Sequence, residues 1–222
     1  MIADAELVSE FNAFLCQDGY PCVGAKVARN KQQIELHQFT DISSAREDAI
    51  LLDDLYAFIQ RYNQQRRIFF SFVCVFTDCN VRSDIGFEQA LWVRLQALHQ
   101  RDCRKYNWDS RVSSNPQNEN FSFSLGGEAF FIIGLNPHSN RRSRQFRYPS
   151  IVFNLHSQFQ ALKNEHKFQS MRNQIRKNDA KFCGGRNSNL ADHGEQSEAC
   201  QYSGRAVGDK WQCPFKLRRR HD

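Results

Sequence analysis

The run IFFSFVCVF at residues 68–76 constrains this chain more than any other stretch. It is almost uninterruptedly apolar and rich in aromatic and β-branched side chains, the pattern of a strand buried on both faces. Such a strand needs partners on each side and cover above and below. FSFSLGGEAFFIIGL, residues 121–135, offers two more strands around a Gly126-Gly127 turn, and SIVFNL, residues 150–155, another buried one.

Helical periodicity fills the intervals. Residues 4–16 carry Ala5, Leu7, Val8, Phe11, Phe14 and Leu15 at amphipathic spacing, and Asp18-Gly19 with Pro21 stops them. CVGAKVA (22–28) and QIELHQF (33–39) read as two short strands joined near Arg29-Asn30, a hairpin. A helix capped by Asp41 or Ser43 follows, with Ile50, Leu51, Leu55, Phe58 and Ile59 as its stripe. The next opens at Ser83 or Asp84 and aligns Phe87, Leu91, Leu95 and Leu98. Residues 107–120 read as a loop and His156 to Lys177 as one long helix. From Asn178 to the end no period survives, yet Trp211 and Phe215 need somewhere to be buried, so 178–222 is expected to be irregular but ordered. The expectation is one domain over residues 1–222, of mixed α/β class with an α+β tendency, a single mixed sheet flanked by helices.

Several classes drop out. No apolar run is long enough to span a bilayer. The N-terminal MIADAELVSEF has acids where a secretion signal needs basic residues, so the expected compartment is the cytoplasm. There the eight cysteines are expected to stay thiols; none forms a C-x-x-C pair, which leaves a structural zinc built from scattered Cys and His as the lesser alternative. The net charge of +6 draws on Arg141, Arg142, Arg144 and Arg147 and on the tail residues Lys216, Arg218, Arg219 and Arg220. The tail reads as a solvated terminus, and with no nucleic-acid-binding motif beside it nucleic acid is only the runner-up partner. Walker A, G-x-G-x-x-G, H-E-x-x-H and G-x-S-x-G motifs are all missing.

Reactive side chains concentrate between Gly134 and Arg205. His156 closes an apolar strand and opens a helix, where α/β sheets commonly place ligands. It reads either as a helix-start histidine bonded to backbone, or as a metal or haem-iron ligand or general base. Arg141 and Arg144 are either a solvated loop or an anion grip. Asp192, Glu195 and Glu198 are either surface acids or acceptors for a guanidinium.

Tyr20-Pro21-Cys22, FSFSLGGEAFFIIGLNP, Ser139 to Arg144, PSIVFNLHSQF, IRKND, DHGEQSEACQYSGR and WQCPF together resemble the YqcI/YcgG family over nearly the whole chain. The family includes haem-dependent enzymes that N-hydroxylate the guanidine group of arginine-like amino acids, as in guanitoxin and D-cycloserine biosynthesis. The resemblance therefore implies a haem cofactor, a small guanidine-containing amino-acid substrate, an external electron donor and a redox partner. It implies His156 as the axial iron donor with Cys22 behind it, Arg141 and Arg144 against the haem propionates, and Glu195 or Glu198 holding the guanidinium. The chain departs from the family pattern GLHP at Asn136, with a histidine at His138 instead. That departure keeps a non-catalytic haem-binding or haem-sensing protein as the alternative, and a basic-surface interaction protein as a third class.

Overall fold

A computed structural model describes residues 4–65, 68–164, 168–187, 197–208 and 210–218. Helix α1 (Ala5–Leu15) starts where the Asp4 carboxylate accepts the Glu6 amide at 3.1 Å, and of its expected apolar face it buries Leu7, Phe11, Phe14 and Leu15 but leaves Ala5 and Val8 exposed. It stops ahead of Gly19, whose φ of +74° suits glycine.

The expected hairpin is not formed. CVGAKVA is helical, as α2 (Val23–Asn30), because the Cys22 sulfur accepts the Ala25 amide at 3.4 Å and caps a new helix immediately after Pro21. Only Ala28 of that helix is buried, so its apolar residues never alternate as a strand would require. Strand β1 (Ile34–Phe39) pairs instead with β2 (Ser71–Phe76), in parallel, with Ile34 opposite Ser71. A parallel pair needs a long connection, which α3 (Asp48–Gln65) supplies.

Strands β3 (Phe123–Leu125), β4 (Glu128–Leu135) and β5 (Ser150–Leu155) complete a five-stranded mixed sheet in the order β1-β2-β5-β4-β3, antiparallel beyond β2. Residues 71–76 of the run thus lie inside the sheet, as expected, whereas residues 68–70 precede the strand and Phe69 has a φ of +71°. Gly126 and Gly127 both have positive φ, the requirement of the tight turn that joins β3 to β4.

Alternation along the strands gives the sheet two different faces. Phe72, Cys74, Phe76, Phe130, Ile132 and Phe153 point to one side, where they pack with residues of α3 and of α4 (Asp84–Asp102). Ser83 caps α4 by accepting the Gly86 amide at 3.0 Å, and Phe87, Leu91, Leu95 and Leu98 are each 0% exposed. Val73, Val75, Leu135 and Val152 point to the other side, toward α1 and Phe146.

The expected long helix from His156 is two helices, α5 (His156–Asn164) and α6 (Phe168–Cys183). The second runs past Lys177 and Asn178, so the irregular region begins later than the composition suggested. Asp179 is the reason: it bonds inward to Ser143, Cys183 and Arg141 and keeps the last turn in place. A short 3-10 turn covers Glu198–Gln201, and the described remainder of the C-terminal region has neither helix nor strand. All eight cysteines are free thiols, and no described helix is long and apolar enough to cross a membrane.

Candidate functional site

The second sheet face is not fully filled. Ser71 on β2, Asn154 on β5 and Phe131 and Ile133 on β4 are only half-buried, although they belong to inner or near-inner strands. Above them lies a cavity of about 430 Å³, within the range of ligand pockets. The α1–α2 junction, α5, α6, the segment around residues 141–144, the loop from Arg111 to Phe121 and the turn at Glu198–Gln201 also contribute to its wall.

Residues far apart in sequence meet here. Cys22, Arg141, Arg144, His156 and Glu198 all line this one cavity. Glu195 and Asp192 lie outside the described residues. His156 is the first residue of α5, directly after β5, so the abrupt strand-to-helix change aims it at the cavity margin. Among the described residues it is the histidine that lines the space.

The two arginines differ. Arg141 forms an ion pair with Asp179 and also donates to the Gly185 carbonyl at 3.1 Å, while its buried Nε has no acceptor. Arg144 has no carboxylate bonded to it among the described residues. Among the described residues its guanidinium donates to main-chain carbonyls alone, those of Gly134 at 3.0 Å, Gln201 at 3.4 Å and Tyr202 at 3.5 Å. Burial lowers its pKa against the attraction of Tyr20, Asp179 and Cys22. A desolvated cation bonded only to neutral acceptors is an unfavourable arrangement that an anion would relieve.

Cys22 is held as a thiol. Burial raises its pKa, outweighing the Ala25 amide and the Arg144 charge, and its sulfur already serves as the α2 cap. Glu198 is the best-defined acid of the site. Its Oε1 accepts from the Tyr202 hydroxyl at 2.6 Å and from the Ser122 hydroxyl at 2.8 Å. On the cavity floor Ser71 donates to Asn154 Oδ1 at 2.7 Å, and Asn154 Nδ2 donates to the Phe131 carbonyl at 3.3 Å.

Sequence reasoning passed over Tyr202, Ser122, Asn154 and Asp179. The signal for two of them was present: Ser122 and Asn154 are polar interruptions of apolar strands, and a buried polar group must find a partner. Asn136, where the resemblance expected histidine, is fully buried and is not part of the cavity lining. Its Nδ2 donates to Asp84 Oδ1 at 3.1 Å and its Oδ1 accepts the His138 amide at 2.9 Å, so it ties the end of β4 to the start of α4. His138 turns outward and bonds to the Val81 carbonyl at 3.0 Å.

A mixed five-stranded sheet with helices on both faces and a cavity under one helical layer defines an α/β protein with a concave site on one sheet face. The chain belongs to the YqcI/YcgG family, which it matches over residues 11–216, a range that contains every residue lining the cavity. It is 28% identical over 170 residues to the uncharacterized protein YqcI of Bacillus subtilis (strain 168). That stretch covers 72% of this chain and 65% of the relative, so the chain spans less than two thirds of the relative's length. No solved structure matches the chain.

Proposed function

We propose that this cavity binds haem and that the protein N-hydroxylates the guanidine group of an arginine-like amino acid, using oxygen and electrons from an external redox partner. The observation that carries the proposal is the convergence of Cys22, Arg141, Arg144, His156 and Glu198 on one cavity of about 430 Å³. The donor set fits the cofactor. Among the described residues no three His, Cys, Asp or Glu side chains gather to hold a bare metal ion. A haem iron brings its own ring nitrogens and would need one further donor from the protein, which the imidazole of His156 would provide.

When bound, haem would supply the activation of oxygen. The chain's own residues bind and orient. Arg144, desolvated and bonded only to carbonyls, would pair with the carboxylates of the cofactor. Glu198 would accept N–H bonds from the substrate guanidinium, which stays protonated at neutral pH and needs a carboxylate when it leaves water. The aromatic and aliphatic wall would limit solvent around that pair and so strengthen it. Because Asn136 takes no part in the cavity lining, the departure from the family pattern at that position does not remove a group from the site.

Haem reconstitution followed by an oxygen-dependent assay with L-arginine tests the reading. His156→Ala is expected to lower haem occupancy or shift the Soret band, and an unchanged spectrum would remove His156 as the ligand. Glu198→Gln is expected to keep its haem while L-arginine binding weakens by about 10-fold or more. A Soret band without turnover in the wild-type protein would leave a non-catalytic haem binder, and no haem uptake at all would end the proposal.

A further inference from the structure

Tyr202 joins the acidic side of the cavity to the sheet. It is 0% exposed, with its ring stacked on Trp92 at 5.6 Å between centroids and edge-on to Phe131 at 6.1 Å. Its hydroxyl accepts the Phe123 amide at 3.0 Å, so a backbone donor already occupies one side of that oxygen. A phenol has a single proton to donate. The near acceptor is Glu198 Oε1 at 2.6 Å, and the Phe130 carbonyl at 3.4 Å is much the weaker alternative.

The same residue is held from behind. Its carbonyl accepts the Gly134 amide at 2.7 Å, which fastens the segment against β4. A Cβ at Gly134 would come within 2.8 Å of that carbonyl and 2.7 Å of Phe87, so only glycine lets the two backbones approach this closely. Glycine 134, the Phe123 amide and the Trp92 ring thus fix one orientation of the Tyr202 hydroxyl, and the hydroxyl fixes Glu198.

We propose that Tyr202 is a positioning residue for Glu198, with Ser122 as its assistant, and that it sets the affinity of the cavity for a guanidinium. The identity of the cation rests on the proposed function; the positioning does not. A glutamate that swings freely must lose its rotamer freedom when a ligand binds, whereas one already bonded through Oε1 has lost it beforehand.

The test uses Tyr202→Phe in the full chain, with two readouts. The first is the titration midpoint of the Glu198 carboxyl, followed by carbon-13 NMR and assigned by its disappearance in Glu198→Gln. It is expected to rise by about one pH unit, because a donor to the charged form has been removed. The second is the affinity for L-arginine. It is expected to fall about 10-fold in the wild-type background and not to fall further when Tyr202→Phe is added to Glu198→Gln, since coupled residues are not additive. A merely structural role would lower the melting temperature and leave the midpoint alone. An unchanged midpoint, or additive losses of affinity, overturns the proposal. Should Tyr202→Phe fail to fold, 3-fluorotyrosine at position 202 keeps the ring and strengthens the donor, and the midpoint must then move down. If wild type does not bind L-arginine while the midpoint still shifts, the guanidine reading fails and the positioning role stands.

Discussion

Asp102 shows how one residue can couple the two sequence-distant halves of the larger core. It ends α4 almost fully buried, where its Oδ1 accepts the Tyr56 hydroxyl and the Gly126 amide, both at 2.8 Å. Burial pushes its carboxyl up to about 6, against the opposing pull of the Gly126 amide, Tyr56 and Lys105. A folded-state value above the unfolded one means that this group favours folding fully below about pH 4 and loses that contribution as pH rises through about 6. The shift corresponds to something on the order of 3 kcal/mol at neutral pH. Asn at this position keeps an oxygen for both donors and has no charge to desolvate. Asp102→Asn is therefore expected to match or exceed wild type in urea unfolding at pH 8 and to fall behind it, relatively, at pH 4. A constant difference between the two proteins across that range would show that Asp102 does not titrate in it. Nothing in the sequence marks this aspartate, because its partners lie 46 and 24 residues away. The Gly126-Gly127 turn it supports was legible, since two consecutive glycines after an apolar run leave few other conformations.

Among the elements, those whose cause is local were readable and those whose cause is a distant contact were not. The stripe of α4 and the runs of β2, β4 and β5 follow from periodicity alone. That of α3 follows except at Ile50, which is 47% exposed while Leu52 is buried in its place, and the helix is entered through a 3-10 turn capped by Ser44 rather than by Asp41 or Ser43. Helix α2 was misread because its cap is a cysteine, a residue that carries no strong helix-start signal, while its valines favour strand. The end of α6 was misread because Asp179 is secured across the chain rather than along it. Its Oδ1 accepts Ser143 Oγ at 2.6 Å and the Cys183 thiol at 3.3 Å, and its Oδ2 takes the Arg141 guanidinium. These bonds attach α6, which walls the cavity, to the turn that also carries Arg144. Breaking a mostly buried pair by removing one partner typically costs about 3–5 kcal/mol. Asp179→Asn is expected to raise amide hydrogen exchange through the last turns of α6 while β2 and β5 keep their protection, since opening is local. Uniform loss of protection, or none, would mean that the latch does not govern the helix.

For the molecule as a whole, the question is where the folded unit ends. The basic tail was expected to be a solvated terminus, and the aromatic residues ahead of it were expected to be buried. The second expectation extends further along the chain than the first allowed. Phe215 is 3% exposed and lies 5.1 Å from His99, 5.7 Å from Trp108 and 5.6 Å from Phe123, centroid to centroid. Beyond it the backbone is still tied down: Lys216 exchanges hydrogen bonds with Gln96 at 2.8 and 3.0 Å, and the Arg218 amide donates to His99 Nε2 at 3.1 Å. The segment therefore lies along α4 and closes the core on the sheet face opposite the cavity, consistent with a family match that runs to residue 216. His99 Nε2 also lies 3.2 Å from the Arg218 carbonyl. Burial lowers the pKa of the ring against the opposing effect of that carbonyl, so the buried neutral ring makes a contribution to stability that is present above the ordinary histidine range and lost as pH falls below it. Two neighbouring truncations separate core from surface. Phe215→Ala removes a buried ring and is expected to cost about 3–5 kcal/mol in urea unfolding. Leu217→Ala, at a position 36% exposed, is expected to stay within about 0.5 kcal/mol of wild type. Equal effects from the two would place the C-terminal strap outside the cooperative unit, and the larger core would then be complete without it.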